Sequence, residues 1–305
     1  MQMSVSKADE RKLKKLRLKA TRRDQYKRFT RTRASNFFYT LFLVIFGAYS
    51  ILPMVYCVIT SFKPLDELLV FPPRFYVVNP TVGNYLTLPG LLDNLAVPLS
   101  RYAFNSIFIS VVTTFFHILV GSAAAYVLSK TNIKGKNVIF MVVQMSLLYN
   151  AYTLEIPRYL IFSSLKMIDT YWVYILPAIP SSMGVFLMKQ FMDTNVPDPL
   201  IEAAHIDGAG PFRTFWQIAL PNVKPAWLTL ALFSFRDMWS IVPNGTIFSE
   251  ELKTLPAAAS TVGAAGIARQ GCSMALTVLM MIPPIIVYLI SQRSVTQTMS
   301  SSGIK

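Results

Sequence analysis

At 305 residues, 53% hydrophobic, 14% charged and with a mean hydropathy of +0.45, the chain is too apolar for a water-soluble domain and reads as an integral membrane protein. Its formal charge of +14 does not describe a nucleic-acid-binding face, because 13 of the 29 Lys and Arg precede residue 36 and form a local tail. Cys57 and Cys272 stand far apart without ligand spacing, so neither a disulfide framework nor a metal site follows.

Residues 1–35 carry those basic side chains among a sparse apolar set of Leu13, Leu16 and Leu18, a composition that stays in water or lies on anionic headgroups. The segment is too long and too basic for a signal-peptide n-region, and no cleavage is expected. Phe37 to Ser61 then runs 25 residues without a charge, enough to cross a hydrocarbon core of about 30 Å, with Pro53 as a kink. Residues 63–101 are broken by Pro64, Pro72, Pro73, Pro80, Pro89 and Pro98, which predicts a loop outside the membrane with short helical pieces. A second span covers Ala103 to Leu128. It ends in the small-residue run Gly121 to Ala125, which suits close helix approach inside a bundle, and it carries His117, read as a satisfied interior histidine rather than a ligand.

After the basic turn at Lys130, Lys134 and Lys136, the third span is placed at Val138 to Leu154, followed by an outer hairpin from Glu155 to Thr170. Tyr171 to Met192 is the fourth span, with Pro177 and Pro180 inside it. A polar loop fills 193–224, and Pro225 to Val242 is the fifth span, interrupted by Arg236 and Asp237. Pro243 to Gly271, rich in Gly, Ala and Thr, reads as an irregular outer loop. Ser273 to Ile290 is the sixth span, kinked by Pro283 and Pro284, and a short polar tail occupies 292–305. The membrane domain is thus 36–291, all-α, with six spans. The basic tail places the amino terminus in the cytoplasm, and six crossings place the carboxyl terminus and the 193–224 loop there too.

Within that loop, Glu202-Ala203-Ala204-His205-Ile206-Asp207-Gly208-Ala209-Gly210 reads as a helix closed at a glycine corner. Asn195 or Asp198 is a cap residue, Pro197 or Pro199 suits a first turn, and Gly208 and Gly210 tolerate the left-handed conformation that ends a helix. Pro211 starts a second helix in which Phe212, Phe215, Trp216 and Ala219 recur at i, i+3, i+4 and i+7, predicting one apolar face that Leu220-Pro221 terminates.

No G-x-x-x-x-G-K-[ST], G-x-S-x-G or H-E-x-x-H motif is present, and two histidines with no nucleophile constellation exclude the usual hydrolytic designs. Any energy source comes from elsewhere. The run Glu-Ala-Ala-x-x-Asp-Gly-Ala, followed by an aromatic helix and Ile218-Ala219-Leu220-Pro221, resembles the EAA loop of membrane subunits of bacterial ABC importers. The resemblance extends over about 80–300 through Asn105-Ser106, Ala123-Ala124-Ala125-Tyr126, Ile156-Pro157, Leu176-Pro177 and Lys224-Pro225. It is nearest to carbohydrate-type permeases typified by the maltose importer's inner-membrane subunit. One departure is Trp239-Ser240, where the family commonly has Trp-Asn.

The resemblance implies a type I permease fold in the bacterial cytoplasmic membrane, a non-catalytic role, and assembly with an ABC ATPase dimer that holds ATP and Mg. It also implies a second homologous membrane subunit, forming a heterodimer, and an extracytoplasmic binding protein. Glu202, Ala203, Ala204, Asp207, Gly208 and Ala209 fall on the motif and are expected to contact the ATPase: a carboxylate for a charged contact, small residues for close approach, glycine for the corner. No cofactor and no nucleic acid are expected on this chain. Gln144, Asn150, Tyr152 and Trp239 are candidate liners of a sugar path, because sugars stack on aromatic rings and hydrogen-bond to amides. Two alternatives are an importer for polyamine or phosphate and an ion-driven transporter or channel. The latter would show matched half-repeats, and none is evident.

Overall fold

A computed structural model describes residues 33–93, 97–149, 151–243 and 245–302, with the side chains of 33–34, 92–93, 151–152 and 293–302 excepted. The basic tail therefore lies outside the described residues except at its last three positions, as does Asn150. Of Tyr152 only the backbone is described. All regular structure among the described residues is helical. Contacts divide the chain into two compact units, Met1–Tyr56 and Cys57–Lys305. The first unit contributes most of α1 (Arg33–Ser61), whose apolar side chains from Phe37 to Val55 are exposed along its length. That much exposed apolar surface belongs against lipid or protein.

In the second unit, the proline-broken stretch forms α2 (Leu65–Leu68) and α3 (Gly83–Asp93), as expected of a loop with helical pieces. It is held down by Asn84, whose Nδ2 donates to the Ser61 and Lys63 carbonyls at 2.8 Å each. The long helix α4 (Leu99–Lys130) forms the centre of the bundle, with Tyr102, Asn105, Ile109, Thr113, Ser122 and Ala125 fully buried along it. It packs against α8 (Ser182–Asn195) and α11 (Lys224–Trp239), and α11 packs on its other side against α13 (Gln270–Ser302). The small residues at the end of α4 act as anticipated: a Cβ on Gly121 would lie 3.8 Å from the Gly184 backbone of α8.

Among the described residues, four helices are long and apolar enough to cross a membrane: Ser35–Ser61, Leu99–Lys130, Trp172–Asn195 and Ile267–Gln292. The third expected span is not one helix. α5 (Lys136–Ser146) gives way to a turn, a 3-10 segment at Ala151–Leu154 and then α6 (Glu155–Ser164), so the outer hairpin is itself helical. At about 1.5 Å per residue, the 11 residues of α5 fall well short of a hydrocarbon core. The fourth span is broken into α7 (Trp172–Ala178) and α8, with the break at Pro180, which has no N–H to continue the ladder. The outer loop at 243–271 is not irregular throughout: α12 (Leu255–Gly263) starts with Pro256 in its first turn and buries Leu255, Ala257, Ala258 and Val262. Its small residues are what allow it to press into the cluster of Leu88, Tyr102, Trp239 and Leu276.

Candidate functional site

The Glu202 loop is built by α9 (Asp198–Ile206) and α10 (Pro211–Asn222). α9 is capped by Pro197 in extended conformation, with no side-chain bond. Neither Asn195 nor Asp198 takes that role. The Asp198 carboxylate instead meets Lys130 Nζ at 2.7 Å, tying the start of α9 to the end of α4. The Lys130 hydrogen bond and charge hold Asp198 below the ordinary carboxylate range. At the other end the sequence expectation holds at Gly208 but not at Gly210, which is extended at φ −71° and caps α10. Gly208 has φ +77°, its N–H donates to the His205 carbonyl at 3.1 Å, and the Ala209 N–H donates to Ala204 at 2.9 Å. These two bonds are the Schellman pair, and the left-handed residue between them is a glycine for the usual steric reason.

α10 departs from the expected register. Its middle, Phe215–Ala219, is a π-helical turn in which the Leu220 N–H reaches back to the Phe215 carbonyl. The wider turn rotates the apolar stripe, so that Thr214, Phe215 and Ala219 are buried while Phe212 and Trp216 are exposed, at 81% and 51%. It also lets the helix continue through Pro221 to Asn222 instead of stopping at Leu220. The inward faces of both helices, through Ile201, Phe215 and Ala219, together with the flanking Val196 and Val223, enter one cluster with Ala125 and Tyr126 of α4, Met188 and Met192 of α8 and Leu230 of α11. The loop is therefore clamped onto the bundle. What it leaves outside is a knob: Glu202, Ala203, His205, Asp207 and Gly208 are exposed, Ala204 is buried, and Ile206 and Phe212 stand out at 86% and 81%. Two bare apolar side chains beside a carboxylate at a rigid corner form a surface suited to a protein cleft.

A second feature lies at the opposite ends of α8 and α11. There α4, α6, α7, α8 and α11 surround an open cleft of about 670 Å³. Glu155 and Arg158 of α6 and Asp237 of α11 line it with Ser181, Ser234 and the imidazole of His117. Arg158 and Asp237 have no ion-pair partner among the described residues. His117 Nδ1 meets the Ala178 carbonyl at 2.8 Å and so carries the ring hydrogen in the neutral form. Nε2 is buried with no partner among the described residues. The interior-histidine reading is thus half met.

Of the residues expected along a sugar path, Gln144 and Trp239, the two with described side chains, do not line this cleft. Gln144 is exposed on α5. Trp239 is 4% exposed, stacked on Phe235, with Nε1 donating to the Met280 carbonyl at 2.9 Å, so its indole serves packing between α11 and α13. The cleft itself escaped the sequence reading, because Glu155 and Arg158 were assigned to an outer hairpin. The available signal was Ser234, Asp237 and Ile241, spaced i, i+3 and i+7 where α11 ends.

The chain matches the family model described as "Binding-protein-dependent transport system inner membrane component" over residues 28–301. It belongs to this family. The permease is similar to "Protein LplC" of Bacillus subtilis (strain 168), with 35% identity over 66% of this chain and 65% of that one, a match just under two thirds of LplC's length. It is also similar to "Arabinooligosaccharides transport system permease protein AraQ" of Halalkalibacterium halodurans, at 26% identity over 84% and 91% of the two chains. Among solved structures, a chain of a bacterial ABC transporter involved in the import of the acidic polysaccharide alginate superposes with a TM-score of 0.74. It is 22% identical and covers 87% of this chain and 99% of that one, which shows the fold. The permease is thus a multi-pass, non-catalytic subunit of an ABC importer in the cell membrane, and ATP hydrolysis in such a system is done by partner subunits.

Proposed function

We propose that this permease imports an oligosaccharide or related sugar and is driven through the Glu202 knob, which seats in a cleft of a partner ATPase. The knob's form supports the reading best: a buried inner face fixes it to α4, α8 and α11, while Glu202, Ala203, Ile206 and Phe212 are presented outward. Ala203 permits close approach, Glu202 supplies an acceptor for a guanidinium, and Ile206 and Phe212 supply apolar area. Asp207, Gly208 and Ala209 hold the corner, with Ala204 beneath it. The sugar assignment draws on relatives such as AraQ, whose name specifies arabinooligosaccharides.

In this proposal, α5 and the segment leading into α6 supply a crossing in two pieces, giving six spans with α1, α4, α7–α8, α11 and α13. Both termini and the knob then lie on the cytoplasmic side, and the basic residues of 1–35 act as the orientation signal. A binding protein docks on the outer face, and a second membrane subunit completes the path as a heterodimer. ATP and Mg are bound only by the ATPases.

The test is purification of the permease from its native membrane with whatever accompanies it, followed by mass spectrometry. Wild type is expected to bring an ABC ATPase and a second, different membrane subunit. Ala203→Trp, placed on an exposed helical position, is expected to lose the ATPase while retaining the second subunit and the same melting temperature. Recovery of no ATPase, or its full retention by Ala203→Trp, would refute the coupling role.

A further inference from the structure

The geometry points to residues 69–76, in the loop between α2 and α3, as an anchor that lies in the headgroup layer of the bilayer, with Phe71, Phe75 and Tyr76 against the upper acyl chains and Arg74 at the lipid phosphates. This requires only that the permease is embedded in a membrane and draws neither on the imported solute nor on the Glu202 knob.

Every residue from Leu69 to Tyr76 is exposed, and Arg74 is the one charged residue among the eight. Phe71 is 91% and Tyr76 60% exposed, although the stretch lies outside the spanning helices. A contiguous apolar surface of this kind belongs against lipid or protein. Its height is fixed by bonds to the end of α1. Lys63 Nζ donates to the Arg74 carbonyl and the Thr81 N–H donates to the Phe62 carbonyl at 2.9 Å, so the chain returns twice to the residues at which it leaves the span. Arg74 therefore stands within about one lysine side chain of the level where α1 ends, with Phe75 and Tyr76 next to it. Headgroups fill roughly the first 5–7 Å beyond the hydrocarbon on each side. Glu67 holds the loop in this form, because its carboxylate accepts from the Val78 and Asn79 N–H groups at 3.0 and 2.6 Å and is thereby committed to the loop's own backbone.

The composition suits the interface rather than the core. Irregular backbone is not admitted to lipid-exposed hydrocarbon, whereas aromatic rings collect at headgroup level, where water still reaches the peptide groups. The Arg74 guanidinium carbon lies 5.9 Å from the centre of the Tyr76 ring, which keeps the cation beside the aromatic face while its N–H fork remains able to meet a phosphate. A water-soluble protein that docks and departs would leave these rings in water between visits. Lipid covers them throughout.

The experiment places an NBD fluorophore on Phe71→Cys and, separately, on Tyr76→Cys, each in a Cys57→Ala, Cys272→Ala background. The purified permease with its accompanying subunits is held in nanodiscs of phosphatidylethanolamine and phosphatidylglycerol. Lipids brominated high in the acyl chain, at carbons 6 and 7, are expected to quench both labels at least twofold, and lipids brominated deeper, at carbons 11 and 12, to quench them less. Arg74→Glu sets a carboxylate against the phosphates and should at least halve the quenching at position 76. Both labelled positions are exposed, and an unchanged melting temperature verifies the fold; Leu69→Cys, also exposed, replaces either variant that fails this check. Labels that no brominated lipid quenches, whether they report water or are shielded by a second membrane subunit, would overturn the anchor, as would stronger quenching by the deeper bromines. Quenching unchanged by Arg74→Glu would overturn the phosphate contact.

Discussion

Gly184 is a tight point of the bundle, and adding one methyl there gives a result whose sign is informative. It lies in the first turn of α8, where its N–H donates to Ser181 Oγ at 3.1 Å. A Cβ built on it would stand 2.9 Å from His117 Nε2 and 3.3 and 3.4 Å from the δ-carbons of Leu230. By helix propensity alone, Gly→Ala stabilises by about 1 kcal/mol. Against that, the imidazole must retreat by roughly half an ångström while anchored to the Ala178 carbonyl, and overpacking of this kind costs about 1–3 kcal/mol. Straining a buried hydrogen bond adds about 1 kcal/mol more. The net expectation for Gly184→Ala is a loss of about 1–3 kcal/mol, or a Tm lowered by about 2–12 °C for a domain of this size. Thermal scanning of the purified permease in detergent measures it. Pairing the change with His117→Ala removes the clashing atom, so the double variant should be more stable than the sum of the two single effects, by about 1 kcal/mol or more. A Gly184→Ala protein as stable as wild type, or more so, would refute the claim that His117 is pinned against α8.

Two further outcomes follow from single contacts. Asp169, with φ +61°, accepts from the hydroxyl and the N–H of Ser249 and from the N–H of Phe248, and these bonds lower its pKa, the Ser249 hydroxyl most of all. Its contribution to holding the 246–249 segment is therefore present above the ordinary carboxylate range and lost as pH falls through the lowered value. Asp169→Asn, which tolerates the left-handed backbone, should show at pH 7 the increased proteolysis of that segment that wild type shows only in acid, and equal proteolysis at pH 7 would count against the contact. Trp239→Phe keeps the stack on Phe235 but loses the bond to Met280, so it should cost about 1 kcal/mol in a denaturation series and leave solute selectivity unchanged. A change in selectivity would return Trp239 to the path.

What could be read in the sequence was what depends on local chemistry. Gly208 ends α9 because the backbone there needs a positive φ, and the Asp-Gly dipeptide announces it. The long apolar runs at α1, α4 and α13 are helices because lipid admits little else. What escaped depends on partners distant in the chain. Asp198 has the chemistry of a cap but is taken by Lys130, 68 positions away. The stripe from Phe212 to Ala219 is phased at 3.6 residues per turn, but the turn at Phe215–Ala219 is π-helical, and Phe212 and Trp216 both stand outside. Hydropathy reports compatibility with lipid, not continuity of the backbone, so the run from Val138 to Leu154 gave no notice that α5 ends at Ser146. The Gly, Ala and Thr of 243–271 looked like loop material, yet Ala257 and Ala258 are small because α12 has to fit into a crowded interior.

The junction between α10 and α11 carries a mechanical implication. The two helices meet at 82° around Val223, which is fully buried, and α11 then runs straight from Lys224 to Asp237 over about 20 Å. This is the shape of a bell crank, with the knob on the short arm, a packed pivot, and the cleft's carboxylate at the tip of the long arm. With the pivot held, a tilt of about 10° sweeps Asp237 through about 3 Å, roughly the span of one hydrogen bond. A modest displacement of the knob thus shifts the Asp237 end of α11 by about the length of a hydrogen bond.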